Sequence, residues 1–419
     1  MLAYAADFET TTDADDCRVW AWGIAQVGFK NTFKYGNTID SFFDYLSKLP
    51  PCRVYFHNLA FDGSFIFDYL LNNGWVFVED RKDLKRKHTF SAVISDMNQV
   101  YSITLVFSHG VKIDIFDSYK IIPMSIAAVA KTFGMEMSKG DIDYTEYREP
   151  GHELTEEELD YLKRDVLILS TALDTMLTMG EIKMTAGSNA LADYKRMCGG
   201  NKGFRRQFPV LDDDVDAFIR QAYRGGWTYA NPEYVGREIN YMTSWDVNSL
   251  YPSIMYGCHG EVMPYGQPVW FDGEPNTSDE FPLWIAQVVL EFTIKDGHYP
   301  SHQFRKSLDF LAKDYVLDSK GEQVVTLTNV DFDLLCEQYD VKVYQWLGGY
   351  KFRAYKYLFR DYIDKWTEVK IKAGREGNGG MRQIAKLHLN SLYCMREVCN
   401  TPRGSQPVSH PCRRCCAVS

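Results

Sequence analysis

Trp245-Asp246-Val247-Asn248-Ser249-Leu250-Tyr251-Pro252 reads as an apolar strand ending in a carboxylate, followed by a turn and a tyrosine, and so as a place to hold a metal under a nucleotide. Two distant stretches add weight to it. An acidic cluster, Asp7-Phe8-Glu9, lies near the start of the chain, and a basic helical pattern ends in Lys386-Leu387-His388-Leu389-Asn390-Ser391-Leu392-Tyr393. Together they predict two nucleic-acid chemistries on one multidomain chain.

At 419 residues the chain exceeds what one hydrophobic core fills, and its 45% hydrophobic and 15% aromatic content suffices for about two or three domains. No run of about eighteen uncharged apolar residues occurs, and the N-terminus lacks the basic, apolar, small-residue order of a secretory leader, which points to the cytoplasm and away from a membrane. The ten cysteines do not form a disulfide pattern: Cys394, Cys399, Cys412, Cys415 and Cys416 crowd the last segment and the others are scattered. A net charge of −10 weighs against a nucleic-acid partner, because phosphate binding rewards Lys and Arg. Distribution matters more. Basic residues cluster at 195–206 and 370–386, and metal-dependent nucleases need buried carboxylates.

Leu2 to Phe8 and Val19 to Val27 read as neighbouring strands joined by a Thr/Asp-rich turn, with Val54-Tyr55-Phe56 a third, so a mixed α/β sheet is predicted. Residues two apart on a strand share a face, so Asp7 and Glu9 point the same way and can converge on a metal. His57-Asn58-Leu59-Ala60-Phe61-Asp62-Gly63 follows the third strand and opens an apolar helix from about Ser64 to Leu71, which puts Asp62 near a strand-to-helix junction. Thr155-Glu156-Glu157-Glu158 is a capping box for a helix reaching about Met179. In it Tyr161 and Asp165 sit one turn apart on one face, while Leu159, Leu162, Val166 and Leu169 supply the buried stripe.

Singly, each of these carboxylates is better explained as a surface or capping group. In conjunction, Asp7, Glu9, Asp62 and Asp165, with Tyr161 before the last, resemble the three exonuclease motifs of the DnaQ-like 3′-5′ exonucleases, which implies an RNase H-like fold over residues 1–185. In-line phosphodiester hydrolysis uses two divalent ions about 3.5–4 Å apart, one activating water and one steadying the leaving oxygen. Carboxylate oxygens suit Mg²⁺ or Mn²⁺, and no His/Cys set with zinc spacing accompanies them. The resemblance implies that Tyr161 orients the attacking water. It also implies that Thr10, Tyr55, His57, Asn58, Phe61 and Phe65 grip a frayed single strand, with Ser118, Lys139 and Tyr144 as further DNA contacts.

From Met184 the character changes. Thr185-Ala186-Gly187-Ser188 is a helix-start signal, and Tyr223-Arg224-Gly225-Gly226-Trp227 is a Gly-rich break that invites close backbone approach, though alone it is merely a loop. In order, DFETT, HNLAFDG, YLKRD, YRGG, DVNSLYP and KLHLNSLY are similar to the protein-primed branch of family B DNA polymerases from small bacteriophages, over residues 1–393. The resemblance implies that Asp246 binds both catalytic metals, that Tyr251 packs under the deoxyribose and excludes a 2′-hydroxyl, and that Tyr223, Gly225 and Gly226 hold primer-template. It divides the remainder into a linker and first part of the polymerase palm (186–259), a terminal-protein-type insertion (260–355), fingers (356–393) and a Cys-rich tail (394–419). Arg382, Lys386, Asn390 and Tyr393 share a helix face that can grip a triphosphate, with Lys370 as a further phosphate contact; outside this context the same spacing reads as a solvated amphipathic helix. The implied partners are the 3′ end of single-stranded DNA, primer-template, deoxynucleoside triphosphates and a terminal priming protein, bound by a monomer.

The family pattern breaks after Tyr393. A Gly and later a Tyr-x-Asp-Thr-Asp hairpin are expected there, but Cys394 follows, the last Asp is Asp364, and 394–419 holds one acid, Glu397. The expectation is an intact proofreading half, an incomplete synthesis half and an aberrant or disordered tail. Its Cys394, Cys399, His410, Cys412, Cys415 and Cys416 match no closed zinc site. Competing readings are a free-standing 3′-5′ exonuclease and a non-catalytic DNA or terminal-protein binding module.

Overall fold

Ala3–Thr10 (β1) is covered on both faces, as only a central strand of a sheet with helices on either side can be. The computed structural model describes residues 2–394 apart from 14, 85, 86, 96, 136–141, 225 and 305–314. After β1 come β2 (Val19–Gln26), β3 (Lys34–Gly36), α1 (Ile39–Lys48), β4 (Cys52–Phe56), α2 (Leu59–Asn72) and β5 (Val76–Phe77). They are followed by β6 (Thr89–Ile94), β7 (Val100–Val106), β8 (Lys112–Asp117), α3 (Ile126–Thr132), α4 (Glu156–Thr178) and α5 (Ala186–Met197). The strands form one mixed sheet in the order β3-β2-β1-β4-β8-β7-β6-β5. β1, β4 and β8 run parallel at its centre and β2 pairs antiparallel with β1.

Alternation along β1 sorts its side chains. Tyr4, Ala6 and Phe8 enter a core with Phe42 of α1 and Leu59 and Ile66 of α2, and the Phe8 ring meets Phe42 and Phe56 edge-on at 4.8 and 4.9 Å. Asp7 and Glu9 take the other face. Asp7 lies across from Gly23 on β2, and residues directly opposite in an antiparallel pair share a face. A methyl on Gly23 would come within 3.0 Å of Leu162 and 3.1 Å of Val166, so this face is the one packed by α4. The capping box holds as expected, with the Thr155 hydroxyl accepting from the Glu158 amide and the Glu158 carboxylate accepting from the Thr155 amide. Leu162, Val166 and Leu169 are buried and Leu159 half-buried.

The chain forms two compact units, and their limits differ from the expected boundaries at 185, 259 and 355. Residues 1–194 form the first, which residues 364–394 rejoin; residues 195–363 form the core of the second. The rejoining segment comprises most of α10 (Arg360–Arg375) and all of α11 (Gly379–Cys394). Its attachment is a polar network inside the first unit. Asp193 of α5 accepts from Lys365 Nζ at 2.7 Å and from Trp366 Nε1 at 2.8 Å. His388 Nε2 lies 2.7 Å from the Glu181 carboxylate, with the His388 ring stacked on Trp366 at 3.7 Å.

In the second unit, α6 (Asn201–Gln207), α7 (Asp213–Gln221) and α8 (Leu250–Tyr256) precede β9 (Met263–Phe271), β10 (Leu283–Ile294), β11 (Gln323–Thr328), α9 (Asn329–Gln338) and β12 (Tyr339–Tyr355). The strands form an antiparallel sheet ordered β11-β10-β12-β9. Burial alternates along β10, and Val288, Leu290 and Phe292 pack with Leu327, Leu335 and Tyr339 on one side. The strand-rich reading of 260–355 thus corresponds to a sheet with its own core. Among the described residues, no helix is long and apolar enough to cross a membrane.

The glycines before the α11 motif have a packing role that composition did not reveal. A methyl on Gly379 would lie 2.2 Å from the Thr132 carbonyl oxygen at the end of α3, and one on Gly380 would lie 2.8 Å from the Phe133 ring. Overlap with a backbone carbonyl cannot be relieved by a rotamer change. Gly379→Ala is therefore expected to lower stability by about 1–3 kcal/mol, read as a lower midpoint in urea unfolding. An unchanged midpoint would show that α11 docks without this close approach.

Candidate active site

Glu9, Asp62 and Asp117 lie near one another where β1, β4 and β8 end. A bulge follows Glu9 in the β1 and β2 ladder, and Glu9, Asp62 and Asp165 are only 4%, 3% and 6% exposed, while Asp7 is half-buried. The helix carrying Asp62 begins at Leu59, five residues before the expected start near Ser64. The reason is tertiary. Asp117, at the end of β8 and in register with Phe56, accepts from the Asn58 amide at 3.0 Å and from the Tyr119 amide at 2.9 Å. A carboxylate from another strand thus takes the Asn58 amide, and that of Leu59 as well, at the start of α2, while Asn58 sits in the left-handed region at φ 72, which Asn tolerates. Asp62 consequently lies within the first helical turn. Asp117 was missed in the sequence, although a carboxylate closing an apolar strand is the very signal read at Asp246.

Burial pushes the Asp62 carboxyl up to about 8; the charges of Glu9 and Asp117 add to the rise, and backbone amides, that of Phe8 among them, oppose it. Like charges this close in a low-dielectric pocket cannot readily all ionise. Burial likewise raises Asp117, opposed by Lys120, whose ammonium lies 3.7 Å away. Tyr144 donates to Glu9 Oε2 at 3.0 Å, and its oxygen is 3.2 Å from the Tyr161 hydroxyl, so the ordered sense is Tyr161 to Tyr144 to Glu9. Burial and the Glu9 charge raise the Tyr144 phenol above its usual range, which keeps it a donor.

The remaining predicted strand-binding residues divide. Phe61 is 51% exposed and meets the half-buried Phe65 edge-on at 5.6 Å, an aromatic surface open to a base; Asn58 is also exposed. Tyr55, Thr10 and Ser118 are buried: inward alternation on β4, pairing on β1 and a bond from Ser118 Oγ to the Phe56 carbonyl place them inside. His57 is held at both nitrogens, by Met124 O at 2.7 Å and Ser118 Oγ at 3.0 Å, which fixes its ring in the turn before α2. Lys139 and Gly225 lie outside the described residues, as do 395–419. Among the described residues, no three His, Cys, Asp or Glu side chains converge on one ion position, so the expected four-carboxylate cage is not ready-formed. The donor chemistry nevertheless fits: carboxyl oxygens suit Mg²⁺ or Mn²⁺.

The nucleotide-site candidates fall in both units. In the second, Asp246 does not end a strand: residues 232–248 are exposed throughout, with Trp245 at 90% and Val247 at 62%, and neither sheet includes them. Apolar content alone cannot make a strand without neighbours to pair with. Tyr251 lies in α8 after Ser249 in the left-handed region, and Tyr223 and Gly226 are exposed in irregular chain. In the first unit, α11 starts before the expected Arg382, yet the expected face survives. Arg382 is exposed, and Lys386, Asn390 and Tyr393 are half-buried, opposite the buried Ile384, Ala385, Leu389 and Leu392. Lys370 is half-buried on α10.

Because the folded state raises Asp62, its contribution to stability is full below the ordinary carboxylate value and is lost as pH rises through about 8. Asp62→Asn removes this loss while keeping an acceptor for the Phe8 amide. In chelator-containing buffer its melting temperature should match wild type near pH 4 and exceed it increasingly toward pH 8, by roughly 2–8 °C. Equal melting curves across that range would refute a raised, buried Asp62 carboxyl.

A family model described as DNA polymerase type B, organellar and viral, matches residues 48–149 and 142–394. The DNA polymerase of Bacillus phage Nf is 40% identical over 395 residues, spanning 93% of this chain and 67% of that one. That of Streptococcus phage Cp-1 is 32% identical over 412 residues, spanning 93% and 68%. Phi29 DNA polymerase complexed with primer-template DNA and incoming nucleotide substrates superposes with a TM-score of 0.85 at 37% identity, covering 94% of this chain and 68% of that chain. The same enzyme complexed with single-stranded DNA gives 0.82 at 35% identity, covering 94% and 67%. With a family model spanning most of its length and relatives this similar, the chain belongs to the organellar and viral type B DNA polymerases, among the protein-primed replicative enzymes of phages.

Proposed function

We propose that residues 1–194 carry a 3′-5′ exonuclease that trims single-stranded DNA ends in support of DNA synthesis. The observation that carries this reading is the hydroxyl chain from Tyr161 through Tyr144 to Glu9, beside the buried Asp62. Asp7, Glu9, Asp62 and Asp165 would hold the divalent ions; Mg²⁺ or Mn²⁺ bound there would supply water activation and leaving-group stabilisation. Tyr144 keeps one Glu9 oxygen in place, and Tyr161 orients a water on the same chain of donors. Phe61 and Phe65 offer a stacking surface for the terminal bases. Similarity to a polymerase complexed with single-stranded DNA supports this reading.

For synthesis, we assign nucleotide contacts to Lys370, Arg382, Lys386, Asn390, Tyr393 and Tyr251, metal binding to Asp246, and primer-template contacts to Tyr223, Gly225 and Gly226. The β9–β12 sheet suits a terminal priming protein, and the enzyme acts as a monomer. The weak point of this half is Asp246, because reactive carboxylates need rigid strands to hold their geometry and its segment is exposed and unpaired with either sheet.

Asp7→Ala, Glu9→Ala, Asp62→Ala and Asp165→Ala are each expected to reduce Mg²⁺-dependent degradation of a labelled single-stranded oligonucleotide to background, with strand binding retained. Tyr161→Phe should slow it by about tenfold. Wild-type rates in the four carboxylate variants would refute the site. On a primed template with all four deoxynucleotides, the 419-residue polypeptide should shorten the primer and leave extension at background; templated extension would show that Asp246 becomes ordered on substrate.

A further inference from the structure

Tyr144 is carried on irregular chain, yet its hydroxyl must stay within hydrogen-bond reach of Glu9. The device that holds it is an arginine buried nearby. Arg148 is 4% exposed, and its Nη1 donates to the carbonyls of Asp143 and Glu146, both at 2.7 Å, on either side of Tyr144. Its Nε donates to Glu158 Oε1 at 2.8 Å, and the guanidinium lies 4.7 Å from the Trp20 ring centre. Glu158 in turn belongs to the first turn of α4, the helix that presents Tyr161 and Asp165. Its second oxygen accepts from the Thr155 amide at 3.0 Å and lies 2.8 Å from His152 Nε2. Burial raises Glu158, but His152, the Thr155 amide and Arg148 outweigh it and hold the carboxyl down at about 2.

A buried ion pair contributes little net stability compared with apolar packing of similar volume, so its value here lies in geometry. The planar guanidinium can bind a carboxylate along one edge and carbonyls along another, which an ammonium cannot reproduce. Building on the exonuclease assignment above, we infer that Arg148 is a positioning residue for strand hydrolysis, locking the Tyr144 loop to α4 so that the Tyr144 hydroxyl holds Glu9. The guanidinium is buried and its hydrogen bonds go to Glu158 and to the carbonyls flanking Tyr144. It acts through Tyr144.

The test is a double-mutant cycle of Arg148→Met and Tyr144→Phe, reading kcat and KM for hydrolysis of a single-stranded oligonucleotide by the full chain with Mg²⁺. Arg148→Met should lower kcat by about ten- to a hundredfold with KM unchanged. In the Tyr144→Phe background, where the hydroxyl is already gone, the same substitution should cost less than about twofold. Arg148→Lys keeps the buried charge and serves as the second variant should Arg148→Met fail to fold; it should recover only part of kcat, since one ammonium cannot hold the two carbonyls and the Glu158 carboxylate at once. Equal costs of either Arg148 substitution in the two backgrounds, or a rise in KM alone, would overturn the positioning role while leaving the nuclease reading in place. Background activity in wild type would remove that reading, and this inference with it.

Discussion

Glu9 and Asp62 are buried next to one another at the carboxyl end of the central strands, and much of the first unit is organised around that unfavourable pairing. Desolvation disfavours both charges and each disfavours the other, so the pair persists only because backbone amides, a phenol and a raised pKa at Asp62 absorb the cost. A pocket of this kind is poorly suited to stability and well suited to binding a hard cation. The apolar core of Phe8, Phe42, Phe56, Leu59 and Ile66 under the sheet supplies the opposing stabilisation and fixes the strand ends from which the carboxylates project.

Two buried ionic anchors place the groups around this pair. Asp117 accepts from the Asn58 and Leu59 amides at the start of α2, and so sets where Asp62 enters. Glu158 gathers Arg148, His152 and its own helix N-terminus, and so sets where Tyr144 lies. Each ties irregular chain to regular structure, which lets a loop contribute a side chain with the precision of a helix. Cation and carboxylate on the Arg148 side are both nearly fully buried, so exchange with solvent does not compete with the geometry they impose.

The helix bearing the basic motif is held by a different logic. Gly379 and Gly380 allow backbone contact with the end of α3, while His388, Glu181, Trp366, Asp193 and Lys365 join α10 and α11 to α5 and the turn after α4. Of the residues that look most functional in the motif, Arg382 is exposed and Lys386, Asn390 and Tyr393 are half-buried. His388, at its centre, is structural.

Periodicity by itself determined the central strands, the capped helix at Thr155 and the common face of the α11 motif, because these depend on alternation and capping within a few residues. Motif order determined the family. It did not determine the start of α2, which depends on Asp117 some sixty residues away, nor the inward turn of Tyr55, His57 and Ser118, whose neighbours lie on segments distant in sequence. It also overstated Asp246, since an apolar run becomes a strand only where another strand is there to pair with it. The Arg148 and Glu158 pair had a partial signal in the capping box, but nothing local says which cation a capping glutamate will find. Burial, long-range hydrogen bonding and charge compensation are properties of where distant segments meet, and only the tertiary structure decided those.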